Sequence, residues 1–272
     1  MSILVNKHTR VILQGGDGGA GPGCSAAWRA GGRAGRACIV AGVPYGPTQD
    51  MPAGVPLFAS VREARAESGA TASVICVPPM FAARAIEEAL DAELELVICL
   101  TEGAPEEPMR RVRQRVREQG TRLLDRSCGL VTPGEIHIGP LAGQALRRGR
   151  IGVVSRSAAL ASLAAGQLAG YGLGESTVVG LGEPGGCGLG TLDVLRLFDQ
   201  DPGTDAVLLA GSLDARADAD CAHWVQRHMR KPVVVFGQGS DALPAGLPST
   251  RNPAAMGDLV AAAVEPQWLP FD

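Results

Sequence analysis

Residues 10–21 read Arg-Val-Ile-Leu-Gln-Gly-Gly-Asp-Gly-Gly-Ala-Gly. A continuous apolar run, Arg10–Gly15, passes directly into a glycine loop. Such a run is the pattern of a strand covered on both faces, as in a parallel sheet. The spacing Gly15-x-x-Gly18-x-x-Gly21 at a strand-to-helix turn fits a phosphate cradle. Glycine lets the backbone approach a pyrophosphate, and a helix N-terminus supplies N–H groups and a positive dipole end. The loop is not the GxGxxG dinucleotide fingerprint, and no clear acidic ribose ligand ends the second strand. A tight structural turn accounts for it equally well in a chain with 37 glycines.

The same strand pattern recurs outward from this stretch, at Cys38–Val43, Ser73–Pro78 and Leu94–Thr101. Between these runs, Ser60-Val-Arg-Glu63 has the form of a capping box. Met80–Ala92 reads as a helix, and Glu106–Gln119 as a charged helix with a solvated face. A second series follows. Ile151–Ser155, Thr177–Leu181, Ala206–Gly211 and Pro232–Gly237 are strands; Ser157–Gly170, Gly190–Asp199, Ala215–Arg230 and Pro253–Val264 are helices. The break falls near Asp125–Cys128, before the turn-rich VTPGE segment. This alternation predicts two doubly wound α/β domains with parallel sheets, residues 1–125 and 126–272.

Composition bounds the function. The chain has 272 residues, 46% hydrophobic and only 4% aromatic, so its core is built from Ala, Val, Leu and Ile. A net charge of −3, with Lys7 and Lys231 as the only lysines, gives no basic footprint for nucleic acid. No apolar run approaches a membrane span, and the first residues lack a signal-peptide layout. Seven cysteines with no CxxC pair argue against a disulfide framework and predict a reducing cytoplasm.

The second half offers fewer chemical groups. Ser155-Arg156-Ser157 follows a strand and precedes an apolar helix. Ser157 reads as an N-cap, and the same helix N-terminus could face an anion. Glu183–Gly190 is a flexible loop that either lines a site or merely connects. His8 and His137 lie in loop or strand-edge contexts, and His223 and His228 share a helix at a spacing that separates their faces. No HxxxH or HExxH pair and no GxSxG elbow occurs, so neither a zinc site nor that serine nucleophile is expected.

Read in order, these segments resemble the α subunit of succinyl-CoA synthetase, a nucleoside-diphosphate-forming acyl-CoA ligase. The similarity runs from MSILVNKHTRVILQG through LFASVREARAESGATASVICVPPMF, LTEGAP, VTPGE, GRIGVVSRSAAL, YGLGESTVVGLG and DVLRLFDQDPGTDAVLLAG to RKPVVVFG. The resemblance implies an N-terminal Rossmann-like CoA-binding domain and a C-terminal flavodoxin-like ligase domain, here truncated at its C-terminal end. It implies CoA phosphates held by the loop Asp17, Gly18, Gly19, Ala20 and Gly21. It implies adenine flanked by Val77 and Pro78, with Leu100, Thr101 and Glu102 lining the same cleft. Ser155, Arg156, Ser157 and Ala158 would form the helix N-terminus facing the phosphorylated group. ATP and Mg would enter only through an ATP-grasp β-like partner, and the substrate would be a small carboxylic acid.

The departures from the family pattern concern the chemistry. The family's phosphorylated histidine sits in a Gly-His-Ala-Gly loop after the last matched strand. Here that region is GQGSDALPAGLPSTRNPAAMGDLV, without histidine. The glutamate that orients that histidine follows an apolar strand in a Gly-Glu pair, which here is Gly211-Ser212. A CoA-contacting lysine in the second βα loop aligns with Pro47. Without a carrier nucleophile the phosphate relay cannot run. Three readings stand: a ligase subunit working through a directly formed acyl phosphate, a non-catalytic CoA-binding or regulatory protein, and an acyl- or carbamoyl-transferase component. No catalytic residue and no metal ligand is assigned within this chain.

Overall fold

The run that opens the reading is strand β1, Val11–Gly15, and every one of its residues is buried. The structure is a computed structural model that describes residues 2–16, 38–45, 51–141, 146–182, 188–211, 215–237 and 246–265, without the side chains of 215–220. The loop Asp17–Gly21 lies outside the described residues.

Four further strands complete the first sheet: β2 Ile39–Val43, β3 Ala72–Cys76, β4 Leu96–Cys99 and β5 Arg122–Leu124. They pair in parallel in the order β2-β1-β3-β4-β5. Beyond β2, Leu57 forms a single parallel bridge to Gly42. Counting that bridge as a vestigial strand gives the doubly wound order 3-2-1-4-5-6, which reverses between β1 and β3. Helices α1 Val61–Ser68, α2 Ala82–Asp91 and α3 Glu106–Gln119 cover one face. Alanine dominates the buried side of α2, so the helix lies close to the strands. Ser60 caps α1 by accepting from Glu63 N, while Glu63 reaches back to Ala59 N instead of closing the expected box on Ser60.

The second sheet contains β6 Gly129–Thr132, β7 Ile136–Ile138, β8 Arg148–Ser155, β9 Glu175–Gly180, β10 Ala206–Ala210, β11 Val233–Phe236 and β12 Ser249–Thr250. Its order is β12-β11-β10-β8-β9-β6-β7. The five strands from β12 to β9 are parallel and reverse direction of winding between β8 and β10. The sheet is not purely parallel as the sequence led us to expect. The segment Gly129–Ile138 is a hairpin whose β6 pairs antiparallel with both β7 and β9. Gly134, at φ +78°, sits in its turn. Helices α4 Ala158–Gly170, α5 Thr191–Gln200, α6 Ala215–His228 and α7 Met256–Val264 complete this half.

One hydrophobic cluster runs through both sheets, joining Leu13, Val74 and Ile98 to Leu130, Val179, Phe198 and Val207. The amino-terminal segment reinforces that junction. Ile3 and Val5 are buried in the shared cluster, and Ile3 N donates to Thr177 Oγ1 of β9 at 3.4 Å across 174 positions.

Candidate functional site

In parallel α/β sheets, ligands bind at the carboxyl ends of the strands where the winding reverses. In the first sheet that point lies between the ends of β1 and β3. Gly15 has φ +83°, and a Cβ there would stand 2.1 Å from Cys76 O. The two strand ends therefore close to a separation that only glycine permits.

The next strand end is clamped to this one. Thr101, buried after β4, donates from Oγ1 to Val77 O at 2.9 Å and accepts from Val77 N at 3.2 Å. Leu100 N also donates to Ile75 O. Val77, Leu100 and Thr101 are buried, Pro78 is half-buried and Glu102 is exposed. The structure thus brings Val77 and Thr101, two of the residues the resemblance implies for one cleft, into direct contact. It gives Thr101 the role of tying two loops, so its hydroxyl is spent on the backbone. A 3₁₀ turn, Pro79–Phe81, follows Pro78 and leads into α2.

In the second sheet the reversal lies between β8 and β10, where Ser155 Oγ donates to Ala210 O at 2.7 Å. Ser155 Oγ also accepts from Ser157 N, and Ser157 Oγ accepts from Leu160 N. Ser157 is therefore the N-cap the sequence predicts, and part of the helix terminus is satisfied internally. Ala158 is the first residue of α4. Arg156 turns away from that terminus. It donates to Gly182 O and lies 3.5 Å from Thr191 Oγ1, which pins the end of β9 to the start of α5.

The two edges meet at a residue that sequence reading missed. Ser127 is buried in the connection between the sheets. Its N–H donates to Cys99 O at the end of β4 (2.8 Å), and its Oγ donates to Gly180 O at the end of β9 (2.5 Å). The same Oγ accepts from Gly129 N at 3.0 Å. A serine in a turn-rich linker carries no sequence signal for this role. Beside it, the Cys128 thiol lies 3.9 Å from Ser155 O. Burial, with a smaller contribution from the Glu102 carboxylate, pushes that thiol up to about 11. The carboxyl ends of β4 and β9 therefore meet in a seam at Ser127, with Cys128 beside the end of β8.

His8 precedes β1, at the opposite end of the first sheet. His137 is buried within edge strand β7, with a ring nitrogen 3.2 Å from Gly139 O, and burial lowers its pKa. His223 and His228 ride on α6, which descends toward the amino end of β11. Among the described residues no group of His, Cys, Asp and Glu is arranged to hold a metal ion. None of the helices described is long and apolar enough to cross a membrane.

A family model described as the CoA binding domain matches residues 6–103, and one described as the succinyl-CoA ligase like flavodoxin domain matches residues 148–265. The α subunit of the ADP-forming succinate–CoA ligase of Aquifex aeolicus is 40% identical over 247 residues, 90% of this chain and 80% of that protein. The corresponding subunit of Staphylococcus aureus (strain Mu50) is 40% identical over 245 residues, again 90% of this chain and 80% of the relative. Among solved structures, ATP citrate lyase from Methanothrix soehngenii, in complex with citrate and coenzyme A, superposes with a TM-score of 0.77 at 17% identity. That match covers 99% of this chain and 52% of the lyase chain. The dinucleotide forming acetyl-coenzyme A synthetase 1 of Ca. Korarchaeum cryptofilum, in complex with phosphate and ADP, gives a TM-score of 0.73 at 20% identity, over 94% of this chain and 61% of the other. At these identities the two structures attest the shared fold. With a CoA-binding domain model, a ligase domain model and relatives at 40% identity across most of its length, the chain belongs to the succinate–CoA ligase α-subunit family.

Proposed function

We propose that this chain is the CoA-binding subunit of a cytoplasmic, ADP-forming acid–thiol or acid–amine ligase that works without a phosphohistidine. One observation carries the reading. The carboxyl edges of both sheets converge on Ser127, yet none of the four histidines lies in the segment after β11 where the family pattern has its nucleophile; His137, the one nearest the junction, is buried on edge strand β7 with its ring on Gly139 O. Segments outside the described residues contain no further histidine. A scaffold of this family with no carrier imidazole in that segment fits a reaction in which phosphate is never covalently attached to this subunit.

In that reaction an ATP-grasp partner, with Mg, phosphorylates a small carboxylic acid to an acyl phosphate. CoA supplies a thiol whose sulfur attacks the acyl carbon, and inorganic phosphate leaves. The residues of this chain hold the thiol carrier. The half-buried Pro78 and the 3₁₀ turn after it offer an apolar lip for a base, and the Thr101 clamp fixes that lip against β4. The loop Asp17–Gly21 would take the phosphates on backbone amides. Ser155–Ala158 would face the acyl phosphate across the seam. We assign residues 1–125 and 126–272 to the two functional units.

The test is incubation with γ-phosphate-labelled ATP, a small acid and CoA or an amine, with and without an ATP-grasp β-like partner. ATP consumption is expected only with the partner and an acid present, with no acid-labile, base-stable label on this chain. A label mapped to His8, His137, His223 or His228 would overturn the mechanism. Binding of CoA without any partner-dependent ATP consumption would leave a non-catalytic CoA-binding protein instead.

A further inference from the structure

The outer edge of β5 carries a cavity that the CoA reading does not use. The loop ahead of α5 lies along that edge, where Leu189 N donates to Leu123 O at 2.8 Å. Gly188, at φ +112°, comes so near that a Cβ would stand 2.2 Å from the same carbonyl oxygen. Between this loop and the second half of α3 is a space of about 390 Å³, within the size range of small-molecule pockets. It reaches the amino end of β5, because Arg122 in its wall is the first residue of that strand. The CoA cleft lies at the carboxyl ends.

Four charged residues line the cavity: Arg113, Arg117, Arg122 and Asp193. Arg113 is committed, with both terminal nitrogens on the Glu106 carboxylate at 2.5 and 2.8 Å. Asp193 is committed as well. Its Oδ2 accepts from Gly190 N at 3.0 Å at the start of α5, and its Oδ1 lies 3.8 Å from Arg196. Arg117 and Arg122 are exposed, and among the described residues neither makes an ion pair or a side-chain hydrogen bond. They come from different elements, the last turn of α3 and the start of β5, yet border one space. Two uncommitted guanidinium forks at one cavity call for a dianion. A phosphate group brings about −1.5 to −2 charges and three acceptor oxygens, enough for both forks, whereas one carboxylate brings a single charge.

We infer that this cavity binds the phosphate group of a small metabolite through Arg117 and Arg122. Gly188 and Leu189 form its opposite wall, so the occupant braces α3 and β5 against the loop before α5. The site is separate from the CoA cleft and does not depend on the CoA reading.

The experiment is calorimetric titration of the full chain with inorganic phosphate and, separately, with succinate, at one fixed ionic strength. Wild type is expected to bind phosphate, and succinate at least about tenfold more weakly, because its two charges sit on separate groups. Arg117→Gln and Arg122→Gln change exposed side chains and should each weaken phosphate about tenfold, the range for one lost charge-assisted hydrogen bond. Hydrogen exchange at the Leu189 N–H should slow on adding phosphate to wild type and stay unchanged in either variant. Absence of phosphate binding at tens of millimolar, or equal binding in wild type and both variants, would overturn the site. Succinate binding as tight as phosphate would overturn the ligand class, and unaltered exchange at Leu189 would overturn the brace. CoA titrated into the same samples should bind wild type and variants alike; loss of CoA binding with phosphate binding intact would count against the CoA reading alone.

Discussion

Gly15 and Glu175 are the residues under the greatest local constraint, and each constraint gives a measurable expectation. At Gly15 a left-handed backbone and a 2.1 Å approach to Cys76 O act together. Gly15→Ala should cost about 3 kcal/mol of unfolding free energy, from strain and overpacking combined. Urea denaturation checks it. Glu175 opens β9 and is buried; one carboxylate oxygen accepts from Arg147 N at 2.9 Å and the other has no hydrogen-bond partner. Burial raises its pKa from 4.5 to about 7. Below pH 4.5 the carboxyl is protonated in both states and costs nothing. Between 4.5 and 7 the unfolded chain loses the proton first, so stability falls as pH rises; above 7 the full penalty is present. Glu175→Gln should therefore gain about 3 kcal/mol at pH 8, little at pH 4.5, and flatten the profile between. A parallel displacement of the two profiles would show that charge is not the cause.

Among the elements, legibility followed length and apolar continuity. β1, β3, β8 and β10 stand out because their buried runs are long enough to read without knowing what covers them. The helices read equally well: Ser157 was visible as a cap, and α3 shows a charged exterior over buried Met109, Val112 and Val116. β5, β6, β7 and β12 did not read as strands. Each has two to four residues, too few for a period to declare itself, and Pro133-Gly134 marks the hairpin as a turn. The candidate site divides in the same way. Val77 and Thr101 follow, and Ser155 ends, strands that can be seen in the sequence, whereas Ser127 works through two backbone carbonyls distant in sequence, Cys99 O and Gly180 O. Its role predicts that Ser127→Ala, which leaves Gly180 O and Gly129 N short of a partner, costs about 2 kcal/mol by thermal or urea unfolding. Retained stability in that variant would mean that the ends of β4 and β9 are joined by other contacts.

At the scale of the molecule, the two sheets share a core, and their ligand-binding edges share a seam. Under the proposed function, the seam is where a thiol carried by one unit would meet an acyl group presented at the other. The shared core sets a schedule for synthesis. Ile3 leaves the ribosome 174 residues before Thr177, the side chain that receives its N–H. At roughly 5–20 residues per second that is a wait of about 10–35 seconds. For that interval Ile3 and Val5 have no β9 to pack against, and the apolar face of the first sheet that later joins the shared cluster stays uncovered. The first half can form its strands on emerging, but its apolar inner face is finished only when the second half arrives. A nascent chain arrested before β9 should accordingly be more open to chaperones and proteases than one arrested after it.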